Sequence, residues 1–349
     1  MPPLPSSIKP ALRPNPALDQ KIGQMLVIGL PGAYLADDSL ALRDIRAGWV
    51  GGVVLFGHNI VSTTQVQALT ERLQAASPTP LLISVDEEGG LVSRISPAFG
   101  IVSSYSASDL GARNDLDMTY QQGDSTAKVL RGLGINQNLA PVVDLNTNLN
   151  NPIIGGKRRS YSADPAIVSQ HAESVIRAHR AHHVLCTLKH FPGHGSSRAD
   201  SHHSAVDITA TWSEDELDPY RTLMGAGLAD VIMTGHVFNA NLDPELPATL
   251  SHSVVSGLLR TQLGYDGVVM SDDMGMAAIG AHYSHGEAME RAILAGVDLI
   301  ALAHRTTTAD TVELIVQLVQ QGRIPPSRID ESYRRVVRLK RALSLPIAT

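Results

Sequence analysis

The chain has 349 residues, 43% hydrophobic and 18% charged, the balance of an ordinary folded protein rather than of a disordered or fibrous one. With 28 basic residues against 34 acidic ones the net charge is -6, which argues against a nucleic acid or an anionic membrane as partner. The single cysteine, Cys186, excludes an internal disulfide framework and a thiolate zinc cluster, and its apolar setting between Val184 and Leu188 reads as a buried strand thiol.

Residues 1–15 are rich in Pro and Ser, lack the apolar core of a signal segment, and predict a poorly ordered extension; residues 16–349 then form one domain. No apolar run reaches the length of a membrane span, so a cytoplasmic protein is expected. The first apolar run, Met25–Leu30, is followed by a turn-rich stretch from Pro31 to Asp38 that predicts an irregular first unit. Val50–Phe56 comes next, and then a helix in which Ser62 and Gln65 form a capping box ahead of Val66, Leu69 and Leu73. Leu81–Val85 and Asn138–Val143 follow, then a helix capped by Asp164 with Pro165 at its first position. Val184–Leu188, Val231–Thr234, Gly267–Met270 and Asp298–Leu302 complete a set of eight runs. Pro325-Pro326 introduces a last helix from about Ile329, whose stretch from Arg334 to Arg341 reads as a solvated basic face. Eight short buried strands alternating with helices, and no break in composition, predict a (β/α)8 barrel of the TIM type.

Polar residues cluster after those strands: Asp86, Asp144, Lys189 with His190, His236 and Asp272. In a barrel such positions converge on the C-terminal mouth, where a charge must be paired or functional. Asp272 directly follows Val268-Val269-Met270-Ser271, a rigid placement that suits a nucleophile, while Asp273 suits a helix cap near Met274. Asp200 and His202 are two apart in a glycine-adjacent loop, so the carboxylate can hold one imidazole nitrogen and leave the other as an acid/base, with His203 as the competing imidazole. Lys189 and His190 suit hydrogen bonds to sugar hydroxyls, or alternatively Schiff-base or metal chemistry.

Several of these stretches carry a family resemblance. Asp86-Glu87-Glu88-Gly89-Gly90 with Arg94, Ile154-Gly155 with Arg159-Ser160-Tyr161, Lys189-His190-Phe191-Pro192-Gly193-His194-Gly195, Asp200-Ser201-His202 and Ser271-Asp272-Asp273-Met274 together resemble the single-domain bacterial β-N-acetylglucosaminidases of glycoside hydrolase family 3, the group that includes the cell-wall-recycling enzyme. The resemblance implies a nucleophile at Asp272, an acid/base at His202 supported by Asp200, and N-acetylglucosamine ligands at Asp86, Arg94, Arg159, Lys189 and His190. It implies no metal and no cofactor, and as partner a small or oligosaccharide substrate ending in GlcNAc, from peptidoglycan or chitin. Three departures stand out: Leu91 where a basic residue often follows the glycine pair, the run Lys157-Arg158-Arg159 that offers two registers for the arginine, and His203 in place of a leucine.

The mechanism read from these residues is retaining glycoside hydrolysis through a covalent glycosyl-Asp272. The rival readings are a metal-dependent barrel hydrolase using the histidines, a Schiff-base enzyme at Lys189, and a sugar-binding barrel without turnover.

Overall fold

All eight apolar runs contribute parallel strands to one sheet in a computed structural model of the chain: β1 Leu26–Gly29, β2 Gly52–Leu55, β3 Leu82–Val85, β4 Gln137–Asn138, β5 Leu185–Phe191, β6 Val231–Thr234, β7 Val268–Ser271 and β8 Ile300–Leu302. The structure describes residues 16–343 apart from 96–98, 100–103 and 306, so the expected N-terminal extension lies outside the described residues. Neighbours pair in the order β8-β1-β2-β3-β4-β5-β6-β7. A parallel bridge between Met270 and Leu299, with Ser271 N–H donating to Leu299 O at 2.8 Å, joins the two ends into a (β/α)8 barrel.

The alternation of a strand, two residues per repeat, divides the apolar side chains into two sets. Val27, Val54, Leu82, Leu139, Leu185, Val231, Met233, Val268, Met270, Leu299 and Ala301 form one cluster inside the barrel, whereas Ile28, Val53, Ile83, Ile232, Val269 and Ile300 face the helices. Ser84, Gln137 and Thr187 add a polar layer to the interior, Ser84 donating to Gln137 at 2.7 Å and Gln137 to Thr187 at 3.0 Å. Continuing the same alternation upward from Leu82 and Ser84, from Leu185 and Thr187, and from Val268 and Met270 brings Asp86, Lys189 and Asp272 onto the interior side at the C-terminal mouth. The catalytic candidates are therefore positioned by the strand period.

Strand four is shorter than its apolar run. Pro141 has no N–H to give to a ladder, and only Val142 returns to pair with Lys189. Strand five is longer than expected and takes in Lys189 and His190 themselves. The stretch 31–39 carries no regular structure, as the turn residues of the first unit predict. Ser62 accepts from Gln65 N–H, but the Gln65 side chain reaches back to Val61 N–H instead of completing the box on Ser62. Asp164 and Pro165 start the helix Pro165–Ala181 as expected. Two features were not legible beforehand: a π-helical segment at Ser253–Gln262, and a small parallel pair, Val206–Asp207 with Val237–Phe238, between the loops that follow β5 and β6.

The last helix, Pro326–Ala342, closes the N-terminal end of the barrel, with Val336 and Leu339 joining the interior cluster. Its basic stretch is not a wholly solvated face. Lys340 is buried and donates to Gln24 Oε1 and Gly51 O, both at 2.7 Å, while Arg335 and Arg338 pair with Asp266. Asp298, fully buried at the foot of β8, receives Arg260, Arg328 and the Ser332 hydroxyl.

Candidate active site

Asp272 leaves the end of β7 with its N–H bound to Thr234 O and its Oδ1 accepting from Asp273 N–H at 2.8 Å. Burial pushes its carboxyl up, but the His236 and His190 imidazoles, the Asp273 amide and the Lys189 ammonium outweigh that and hold it below the ordinary value. An ionised carboxylate at the mouth follows. Asp273 turns the other way: its Oδ1 accepts from Gly275 and Ala303 N–H, and its Oδ2 meets His304 Nδ1. It does not cap a helix near Met274, as the sequence suggested. The next helix, Ala277–Gly280, starts later with Met276 at its N-cap, and Asp273 instead ties the β7 loop to the β8 loop.

His236, buried after β6, supports this turn. Asp273 O can only accept, so the imidazole hydrogen lies on Nε2 at 3.0 Å from it, and Nδ1 accepts from the Thr249 hydroxyl at 2.8 Å. Burial lowers the affinity of the ring for a second proton.

Lys189 points into a carboxylate pair, 2.7 Å from Asp86 and 2.8 Å from Glu88. Burial alone would push its pKa down; Asp86 and Glu88 more than compensate, so the side chain stays an ammonium. A Schiff-base role needs a free amine, and this geometry removes it. Glu88, part of the EEGG element but given no role by the sequence reading, is the centre of the cluster: Arg159 grips it with two N–H bonds of 2.8 Å. Burial raises the Glu88 carboxyl, but Arg159 and Lys189 drive it far below the carboxylate range. Of the two registers, Arg159 is the one that turns into the cluster, whereas Arg158 lies on the surface against Asp109.

His190 completes the group. Its Nδ1 faces Asp144 Oδ2 at 2.7 Å, and Arg159 Nη2 lies 3.3 Å from its Nε2. Asp144 also accepts from His190 N–H and His194 N–H, so one buried carboxylate fixes both ends of the Lys189–Gly195 element. Burial pushes this carboxyl up, and the His190 and His194 rings bring it below its ordinary value.

The Asp200 and His202 pair has the geometry that its spacing suggests. His202 Nδ1 meets Asp200 Oδ1 at 2.7 Å, while His202 N–H donates to the same oxygen at 2.9 Å. Nδ1 is thus occupied and Nε2 is left to the cavity. His203 stands 3.9 Å from the other Asp200 oxygen, is 82% exposed at its side chain and does not line the cavity. Ser201 anchors the loop between them, its Oγ 3.1 Å from His194 Nε2 and its carbonyl accepting from Ala278 N–H.

These groups open onto one cavity of about 320 Å³. Asp86, Glu88, Arg94, Arg159, Lys189, His190, His202 and Asp272 all line it, with Phe56, Val92, Ile153 and Met276 as apolar walls and Lys157 and His304 among its further lining residues. Asp200 acts from behind His202. The candidates Asp86, Arg94, Arg159, Lys189, His190, His202 and Asp272 thus share this cavity, with Asp200 bonded to His202, whereas His203 and Arg158 lie outside it.

A closed barrel with an ionised carboxylate, a carboxylate-held imidazole and a buried cation–carboxylate cluster at its C-terminal mouth is a (β/α)8-barrel enzyme, with its site where that fold places one. The chain belongs to glycosyl hydrolase family 3, whose N-terminal domain profile matches residues 17–339, and it is a glycoside hydrolase. It is 35% identical to β-hexosaminidase LpqI of Mycobacterium tuberculosis over 348 residues, covering 96% of this chain and 85% of that protein. It is 32% identical to β-hexosaminidase A of Pseudoalteromonas piscicida over 329 residues, but spans only 54% of that protein. A family 3 β-N-acetylglucosaminidase structure from Paenibacillus sp. str. FPU-7 superposes with a TM-score of 0.88 at 37% identity, over 96% of this chain and 64% of that one.

Proposed function

We propose that the protein is a retaining β-N-acetylglucosaminidase that removes terminal non-reducing β-linked GlcNAc from fragments derived from peptidoglycan or chitin. The observation that carries this reading is the pairing, in one cavity, of an ionised Asp272 with a His202 whose Nδ1 is held by Asp200. The resemblance to β-hexosaminidases and to the β-N-acetylglucosaminidase of Paenibacillus sp. str. FPU-7 supports the choice of sugar. In the first step Asp272 attacks the anomeric carbon and the glycosidic bond breaks, while protonated His202 gives its Nε2 proton to the leaving oxygen. In the second, the now neutral His202 takes a proton from water as its oxygen attacks the same carbon, and the Asp272 carboxylate leaves. Two inversions give net retention.

Asp200 orients His202 and stabilises its charged form, and Asp86, Arg94, Arg159, Lys189 and His190 hold the sugar. Arg94 lines the cavity, and no hydrogen bond of its guanidinium is present among the described residues, so it is available to a ligand. The decisive experiment compares p-nitrophenyl β-glycosides of GlcNAc, glucose and xylose. A clear preference in kcat/KM for the GlcNAc substrate is expected, and equal or better turnover of the glucoside would overturn the assignment of the sugar.

A further inference from the structure

Glu216 stands under the catalytic loop on the short 3₁₀ turn Glu214–Leu217 and is fully enclosed. Its Oε2 accepts from Gly195 N–H at 3.3 Å, and its Oε1 is buried without a hydrogen-bond partner among the described residues. The contact is close: a Cβ built on Gly193 would lie 2.3 Å from Oε2, and one on Gly195 would lie 1.6 Å from Leu145 O. The loop is thus clamped between the Glu216 side chain and the backbone after β4, with Asn151 taking the His194 and Gly195 carbonyls. From this clamped segment, His194 reaches Ser201 Oγ, and Ser201 is flanked by Asp200 and His202.

The groups facing Glu216 favour its neutral form. Burial raises its pKa, the Ser196 hydroxyl opposes this, the Asp144 carboxylate adds to it, and the result is about 8. Tyr220, on the following helix, is itself held neutral by burial. His194 is held to a pKa of about 4, chiefly by burial and the neighbouring His190, and so brings no positive charge at neutral pH. An ionised Glu216 would be a buried anion beside Asp144, with the Gly195 N–H and the Ser196 hydroxyl too few to offset its burial. A site of this kind relaxes by admitting water and moving what covers it.

We propose that Glu216 is a positioning residue of the hydrolytic site: as a neutral carboxylic acid it seats the 193–197 loop and, through His194 and Ser201, the Asp200–His202 pair, and loss of its proton unseats them. The kinetic part rests on the acid/base assignment of His202 proposed above; the seating of the loop does not.

The test uses two readouts on the whole protein. With dinitrophenyl β-GlcNAc, whose leaving group needs no acid, kcat reports the second step, in which His202 takes a proton from water. Wild-type kcat should then fall about 10-fold for each pH unit above the ionisation of Glu216, whereas Glu216→Gln should keep its plateau. Amide hydrogen exchange across 193–203, corrected for intrinsic rate, should open over the same pH range in the wild type and stay closed in Glu216→Gln. Identical alkaline behaviour of the two proteins in both readouts overturns the proposal. Exchange that opens while kcat stays flat overturns its kinetic half and counts against His202, not against the contact between Glu216 and the loop. Should the glutamine variant not fold, the wild-type exchange profile decides alone: no alkaline opening means no such device.

Discussion

Asp272 and Asp273 are adjacent residues of one type that their surroundings turn to different work. Asp272 sees imidazoles and an ammonium across the cavity, whereas Asp273 is consumed by Gly275, Ala303 and His304. Asp272→Ala should therefore lose on the order of 10³-fold or more in kcat while the cation cluster still binds the sugar. A 5-fluoro-GlcNAc donor should label Asp272, and peptide mapping that found the sugar on Asp273 would refute the nucleophile assignment.

His202 and His203 are a second such pair. His202→Ala should slow substrates with poor leaving groups by about 10²-fold or more, yet cost far less on a dinitrophenyl glycoside, with azide restoring turnover as the β-glycosyl azide. His203→Ala should leave that dependence unchanged, because His203 is exposed and does not line the cavity. The reverse pattern would move the acid/base one residue along. Asp272, Asp200 and His202 were legible because their partners are close in sequence or their place follows from a strand. Glu88 was not, since Arg159 lies 71 residues away and only the folded barrel brings the two together.

At the scale of elements, periodicity marked all eight strands but not their lengths, and β4 and β5 depart furthest from their runs. Pro141 stops β4, and β5 absorbs residues whose polarity looked like a loop, because Lys189 and His190 find buried carboxylates above the sheet. The last helix was misread for the same reason: Lys340 and Arg335 look like surface cations until Gln24, Gly51 and Asp298 appear beneath them. Asp298 is the strongest of these joints. Removing one partner from a buried ion cluster typically costs about 3–5 kcal/mol, because the remaining charges keep their burial without their pairing. Asp298→Ala should show a loss of that order in urea denaturation. Arg334→Ala, on the exposed face, should stay within about 0.5 kcal/mol. A small loss for Asp298→Ala would mean that the helix is held by its apolar stripe and the Lys340 bonds rather than by this cluster.

For the whole molecule, buried ionisable groups of opposite habit set a window of stability. Burial holds His179 and His194 to pKa values of about 4, below the ordinary 6.5, so between those values the unfolded chain takes up protons that the fold refuses. Stability from this pair is present above pH 6.5 and is lost as pH falls toward 4. Glu216 runs the other way, raised from 4.5 to about 8: its contribution is greatest at low pH and is lost as pH rises through 8. Between pH 4.5 and 6.5 two histidines outweigh one glutamate and stability climbs. Above 6.5 the histidines no longer contribute, and Glu216, with Glu87 raised in the same direction by burial, makes stability fall, Glu216 by up to about 1.4 kcal/mol per pH unit until it has ionised. His171 and His236, also lowered chiefly by burial, reinforce the acid side. The urea midpoint should therefore peak near pH 6.5, and Glu216→Gln should flatten the decline between pH 6.5 and 8 while leaving the acid limb in place. A wild-type midpoint that continues to rise to pH 8 would show that Glu216 is ionised in the fold at neutral pH, and that the loop above it rests on a carboxylate.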